Sequence, residues 1–156
     1  MPSFRTARNI ELSTVAYIQT QINASWTGVT TVKSFTNAYK TSLPVVCVRL
    51  FDEESFRKEI GSTTFRHQYS IIIDIFATSD GQRIDLADFI LSSLEDVWTY
   101  NEYSHNPANP EVLTTAATSK IRLLRLETNN KVDFGEEVDS YDRFRQNIVV
   151  RVEKTV

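Results

Sequence analysis

Cysteine is all but missing from this chain. A single Cys47 among 156 residues cannot close an internal disulfide. It falls in the apolar run Val45-Val46-Cys47-Val48, where a buried thiol acting as a small hydrophobe is expected rather than a nucleophile. Glycine is scarce as well: Gly28, Gly61, Gly81 and Gly135 are isolated, so no glycine-rich phosphate loop exists. Histidine is limited to His67 and His105, with neither an HExxH nor a CxxC pattern, which excludes the common zinc-binding sequences. No apolar run approaches a membrane span, and the N-terminus lacks a signal peptide's apolar core. A protein made and used in a reducing cytoplasm is the expectation. Basic residues are not in excess either. Seventeen Lys and Arg against twenty Asp and Glu give a formal charge of −3, which argues against general nucleic-acid binding.

What is present is enough for one domain, residues 1–156, of ordinary globular composition. Its organising stretch runs from Phe65 to Trp98. In FRHQYSIIIDIFA, Tyr69, Ile71, Ile73 and Ile75 fall on one face and Ser70, Ile72, Asp74 and Phe76 on the other, the period of a strand buried on both sides. Ser79 then predicts a helix N-cap, with Gln82 completing a capping box and Asp80 at the positive end of the dipole. Ile84, Ala87, Ile90, Leu91, Leu94, Val97 and Trp98 recur at steps of three and four, predicting an amphipathic helix of about four turns.

Other elements follow in order. Thr6–Ser25 predicts a helix with Ile10, Val15, Ile18 and Ile22 inward, ended by Trp26-Thr27-Gly28. Val29–Tyr39 reads as a strand, and Pro44 opens a second over Val45–Phe51. The short link between them predicts an antiparallel hairpin. Residues 52–64 read as an exposed polar arm, 99–118 as a long irregular connection, and 129–142 as a second arm. Strands are predicted over Ser119–Thr128 and, with a charged outer face, from Phe144 to Glu153. The fold class is α+β: a two-layer, mostly antiparallel sheet of four to five strands, with two helices on one face.

No catalytic or metal-binding residues are assigned, and no cofactor is expected. The most chemical alternative is a small metal-dependent hydrolase built on Asp74, Asp80 and His67. Nothing in the spacing requires that set to converge, and Asp80, Asp85 and Asp88 fit equally well on a helix start and its solvated flank. Charge is more informative. Residues 127–142 hold six acidic residues against one lysine, while the closing segment carries Arg143, Arg145, Arg151 and Lys154. Two solvated faces would explain this, and so would contact between subunits in a ring.

The segments RNIELSTVAYIQTQI, PVVCVRLFDEES, EIGSTTFRHQYSIIIDIFA, DGQRIDLADFILSSL and YDRFRQNIVVRVEK, in this order and over nearly the full length, resemble the tail terminator (tail completion, or neck) proteins of long-tailed bacteriophages. The resemblance implies a structural virion protein and not an enzyme. It implies a hexameric ring at the head-proximal end of the tail tube, assembled in the host bacterial cytoplasm. Its partners would be its own copies, the tail tube protein and the head-completion proteins of the neck. DNA would pass through the lumen without sequence-specific binding, and no membrane is involved. A head-completion or adaptor protein of the neck is the alternative in the same class. The contact candidates are Arg57, Lys58 and Arg66 near the first arm, and Glu136, Glu137 and Asp139 in the second.

Overall fold

The computed structural model describes residues 5–104, 106–108, 111–115, 119–133, 142 and 144–155. Helix α1 spans Thr6–Ser25, with Ile10, Ile18 and Ile22 buried and Val15 half-buried. It ends where Trp26 turns extended and Gly28 takes a positive φ of 77°. Strand β1, Thr30–Val32, is only three residues long. Ser34 then caps a short helix, α2 (Phe35–Tyr39), its Oγ accepting from the Asn37 N–H at 3.2 Å. The strand expected over Val29–Tyr39 is thus half helix. Because α2 carries the chain across and back, β1 pairs with β2 (Val45–Arg57) in parallel, not as a hairpin.

Strand β2 turns into β3 (Phe65–Phe76), and the two pair antiparallel from Val45↔Phe76 to Arg57↔Phe65. Helix α3 (Asp80–Leu94) follows. Ser79 Oγ accepts from the Gln82 N–H at 3.2 Å, while the Gln82 side chain reaches back to the Thr78 N–H at 2.8 Å. The expected box is therefore present with its return bond one residue early. The buried stripe of α3 is Leu86, Ala87, Ile90 and Leu94; Ile84 and Val97 are exposed. Trp98 is not helical but begins β4 (Trp98–Thr99), which is followed by β5 (Glu102–Tyr103), β6 (Leu113–Thr115), β7 (Lys120–Val132) and β8 (Arg145–Thr155).

The fold is α+β, with a six-stranded, mostly antiparallel sheet in the order β1-β2-β3-β8-β7-β4, and β5 and β6 forming a separate pair. That is more strands than the four to five expected. Helices α1 and α3 pack on one face, against Val46, Val48, Ile71, Ile73, Ile75, Ile148 and Val150. Helix α2 lies against the opposite face at one end, over Val45, Cys47 and Phe76. The connection 99–118 is held early by a polar stripe on α1. Asn9 donates to the Tyr100 hydroxyl at 3.1 Å, Ser13 Oγ accepts from the Asn101 N–H at 2.9 Å, and Thr14 Oγ1 accepts from the Trp98 indole at 3.2 Å. Tyr17 stacks on Trp98 with centroids 5.4 Å apart.

Candidate assembly surfaces

Residues 52–57, expected in an arm, continue β2 as regular strand. The polar pattern there reflects exposure on both sides. The first four residues of β2 are buried, the last seven are exposed, and β3 mirrors this with its exposed end at Phe65. A ladder with neither face covered needs no apolar alternation, so the period that marks a strand is lost. The hairpin turns at residues 58–64, where Gly61 takes a φ of 83°. Phe51, Phe56, Ile60 and Phe65 are all exposed on it, Phe51 to 66%. Residues 129–132 of the second arm likewise belong to β7; residues 134–141 lie outside those described.

Both flanks of the sheet are open. On its outer side β2 pairs only through Val45, Val46 and Cys47, and β7 only through Lys120 and Ile121. Beyond these, among the described residues, no strand adds to either. The Leu50 N–H is taken by the Glu11 carboxylate at 2.7 Å. A register shift between Leu50 and Asp52 interrupts β2, and two more interrupt β7. Bulges and charged side chains are the usual protection of an edge against unselective pairing.

Two of the basic residues expected to meet a neighbouring subunit, Arg145 and Arg151, are met within the chain. Arg151 joins Glu127 and Glu54, each at 3.0 Å, and Arg145 reaches Asp74 at 3.1 Å and Asp142 at 3.6 Å. Burial opposes ionisation of Glu127, but hydrogen bonds from Arg151 and Arg125 outweigh it and hold the carboxyl below the ordinary range. The charged outer face of β8 is therefore sealed by ion pairs rather than solvated, with Arg151 and Glu153 buried.

A basic hollow lies at the end of the sheet where the hairpin turns, here called the distal end. Two adjoining cavities of about 530 and 630 Å³ share Lys58, Arg66, Glu153 and Lys154. Arg66 Nε donates to Glu153 at 2.8 Å, and Arg122 reaches the other carboxylate oxygen. Burial works against the charged form of Glu153, and these two guanidiniums overcome it, so its pKa is lowered. Lys154 lies 4.3 Å from the Tyr100 ring centroid.

Of the contact candidates, Lys58 and Arg66 come together in this hollow. Arg57 sits beside them on the hairpin, its guanidinium 5.8 Å from the Phe65 ring and donating to the Ser62 carbonyl at 3.3 Å. Glu136, Glu137 and Asp139 lie outside the described residues. Sequence reasoning missed Arg122, which enters the hollow through the pairing of β7 with β8, and it named Lys154 only as a charge of the closing segment, which the pairing of β8 with β3 carries to the hollow. It also missed the exposed hairpin aromatics, although Phe51, Phe56 and Phe65 stand out as apolar residues in a charged stretch.

The trio Asp74, Asp80 and His67 does not converge. Asp74 is fully buried, its Oδ1 accepting from Arg145 at 3.1 Å and Asn147 at 3.0 Å. Asp80 is at the start of α3 with Arg83 and Lys131. His67 is seven residues from Asp74 along β3, roughly 23 Å. Among the described residues, no group of three His, Cys, Asp or Glu side chains is arranged to hold a metal ion. His67 does meet Ser55 at 2.7 Å and Glu53 at 3.0 Å, but through the same Nδ1. A nucleophile relay needs the hydroxyl and the carboxylate on opposite ring nitrogens. Cys47 is buried, and burial together with the nearby Asp74 pushes its thiol up to about 11, so it stays protonated at neutral pH.

No protein-family model matches the chain, and no curated protein matches it by sequence. Among solved structures, a chain from "Virion of native gene transfer agent (GTA) particle" is similar at 12% identity and a TM-score of 0.49, covering 97% of this chain and 98% of that one. No helix among the described residues is long and apolar enough to cross a membrane.

Proposed function

We propose that the chain is a structural virion protein, a tail terminator that closes into a ring on the head-proximal end of a phage tail tube. There it ends tube polymerisation and presents the docking surface for the head-completion proteins. The observation that carries the reading is the sheet's two open flanks. The outer sides of β2 and β7 are different surfaces at opposite edges of one sheet. Joining one to the other on the next copy is a heterologous contact, which forms a ring when the rotation closes. The sequence resemblance, extending over nearly the full length, supplies the kind of ring. The projecting hairpin supplies a tube-facing element: exposed Phe51, Phe56 and Phe65 are the aromatic anchors a protein partner buries. A formal charge of −3 suits a lumen through which DNA passes without sticking.

The test is capping. Purified tail tubes incubated with the protein are expected to carry a ring at one end and to stop elongating when more tube protein is added. Tubes that grow at an unchanged rate, with bare ends, would reject the assignment.

A further inference from the structure

We propose that the basic hollow at the distal end receives the acidic run of residues 133–142 from a second copy of the chain. The inference deepens the ring reading and rests on its premise that copies associate head to tail. Its first ground is charge. Lys58, Arg66, Arg122 and Lys154 line the hollow together with one buried carboxylate, Glu153, which engages both arginines. Lys58 makes no ion pair among the described residues, and Lys154 faces only the Tyr100 ring. The hollow thus keeps two ammonium groups that no carboxylate of the described chain neutralises. The run 133–142 has no basic residue, and Glu136, Glu137 and Asp139 are the carboxylates it offers, since Asp142 already meets Arg145 and Tyr39 in its own chain.

The second ground is reach. The run connects Val132 to Arg145, which pair at the opposite, proximal end of β7 and β8. Glu153 lies eight residues further along β8, roughly 26 Å at the strand rise. Twelve residues drawn out taut span at most about 43 Å, so a loop anchored at both ends extends only about 20 Å from its anchors. Lys58, just past the Arg57–Phe65 pair and so eleven residues along the ladder from the level of Arg145, is roughly 36 Å away, out of reach of its own chain's run. Donor and acceptor are different surfaces of the chain, as the heterologous contact of a ring requires. Only the composition and length of residues 134–141 enter here.

The experiment is a charge swap in the full-length protein, read by light scattering at low and moderate salt. One variant reverses the hollow, Lys58→Glu with Lys154→Glu; the other reverses the run, Glu136→Lys, Glu137→Lys and Asp139→Lys. Each alone is expected to weaken self-association at least tenfold. An equimolar mixture is expected to reassemble, because reversed hollow meets reversed run and unaltered hollow meets unaltered run in alternating copies. Should the first double variant fail to fold, Lys58→Glu alone, at an exposed position, makes the same test. Rings that form equally well in both variants would overturn the inference and leave the ring reading standing. If the wild-type chain never self-associates, alone or on tubes, the ring reading falls. The docking is then judged with a labelled peptide of residues 131–143. Binding to the wild-type chain that Lys58→Glu weakens tenfold supports it, and no binding overturns it. A hollow that instead binds a duplex DNA fragment, with the run reversal silent, also overturns it.

Discussion

Replacing Asp74 by alanine tests the buried polar cluster on the α2 side of the sheet. Asp74 has no exposed surface, yet it carries a carboxylate. Its Oδ1 accepts from Arg145 and from Asn147, and Arg49 lies 3.9 Å from Oδ2. Both guanidiniums lie over the Phe35 ring, Arg49 at 4.0 Å and Arg145 at 5.1 Å. Removing one partner of a buried ion pair costs roughly 3–5 kcal/mol, mostly through the charge left behind. Here Arg145 keeps Asp142 at 3.6 Å and its place against the Phe35 and Phe76 rings. Those contacts place the expected cost near the lower bound, about 3 kcal/mol. For a domain of this size that lowers Tm by about 6–12 °C. Asp74→Asn keeps the shape and one acceptor, and is expected to lose less. The assay is thermal unfolding followed by circular dichroism at neutral pH. An Asp74→Ala protein melting within about 2 °C of wild type would refute the reasoning, since losing the carboxylate of a buried ion pair cannot be that cheap. Calorimetric titration with Mg²⁺ or Mn²⁺ on the same pair of proteins tests the hydrolase alternative. Tight binding by wild type that Asp74→Ala abolishes would favour it.

Two smaller effects follow from the same geometry. Ser79→Ala removes the acceptor for the Gln82 N–H at the start of α3. It is expected to cost about 1 kcal/mol, or about 2–4 °C in Tm, and no change would mean that the Gln82–Thr78 bonds suffice as a cap. Acid should destabilise the fold through Glu127 and Glu153. Both folded-state pKa values are lowered from an ordinary 4.5, so the stability they contribute is complete above that value and is lost as pH falls through the lowered ones. Tm measured downward from pH 4.5 should therefore drop, and Glu153→Gln should flatten part of the slope; an unchanged slope would remove Glu153 from the account.

The parts of the fold legible from sequence are those whose buried residues recur at a fixed period. Helix α1 and the inward residues of β3 are found where their periods place them, because burial dictates Ile10, Ile18 and Ile22 at helical spacing and Ile71, Ile73 and Ile75 at alternate positions. The distal half of β2 and the end of β7 were not legible, because a strand exposed on both faces carries no alternation. The parallel pairing of β1 was hidden by a five-residue helix, too short to show a period. Asn9, Ser13 and Thr14 look like solvated helix positions until the chain from Trp98 to Tyr103 is seen to need partners for its backbone and indole. Half of the basic hollow could be read from the residues near the hairpin, Lys58 and Arg66. Arg122 and the placing of Lys154 could not, because only the registers of β7 on β8 and of β8 on β3 bring them there.

The most direct test of the central claim is the solution mass of the purified full-length protein, with negative-stain imaging of the same sample and of the protein added to tail tubes. The account predicts rings near six times the 17.9 kDa chain mass, free or seated on tube ends, that loosen as salt is raised. A chain that stays monomeric at every salt concentration and leaves tube ends bare would contradict it.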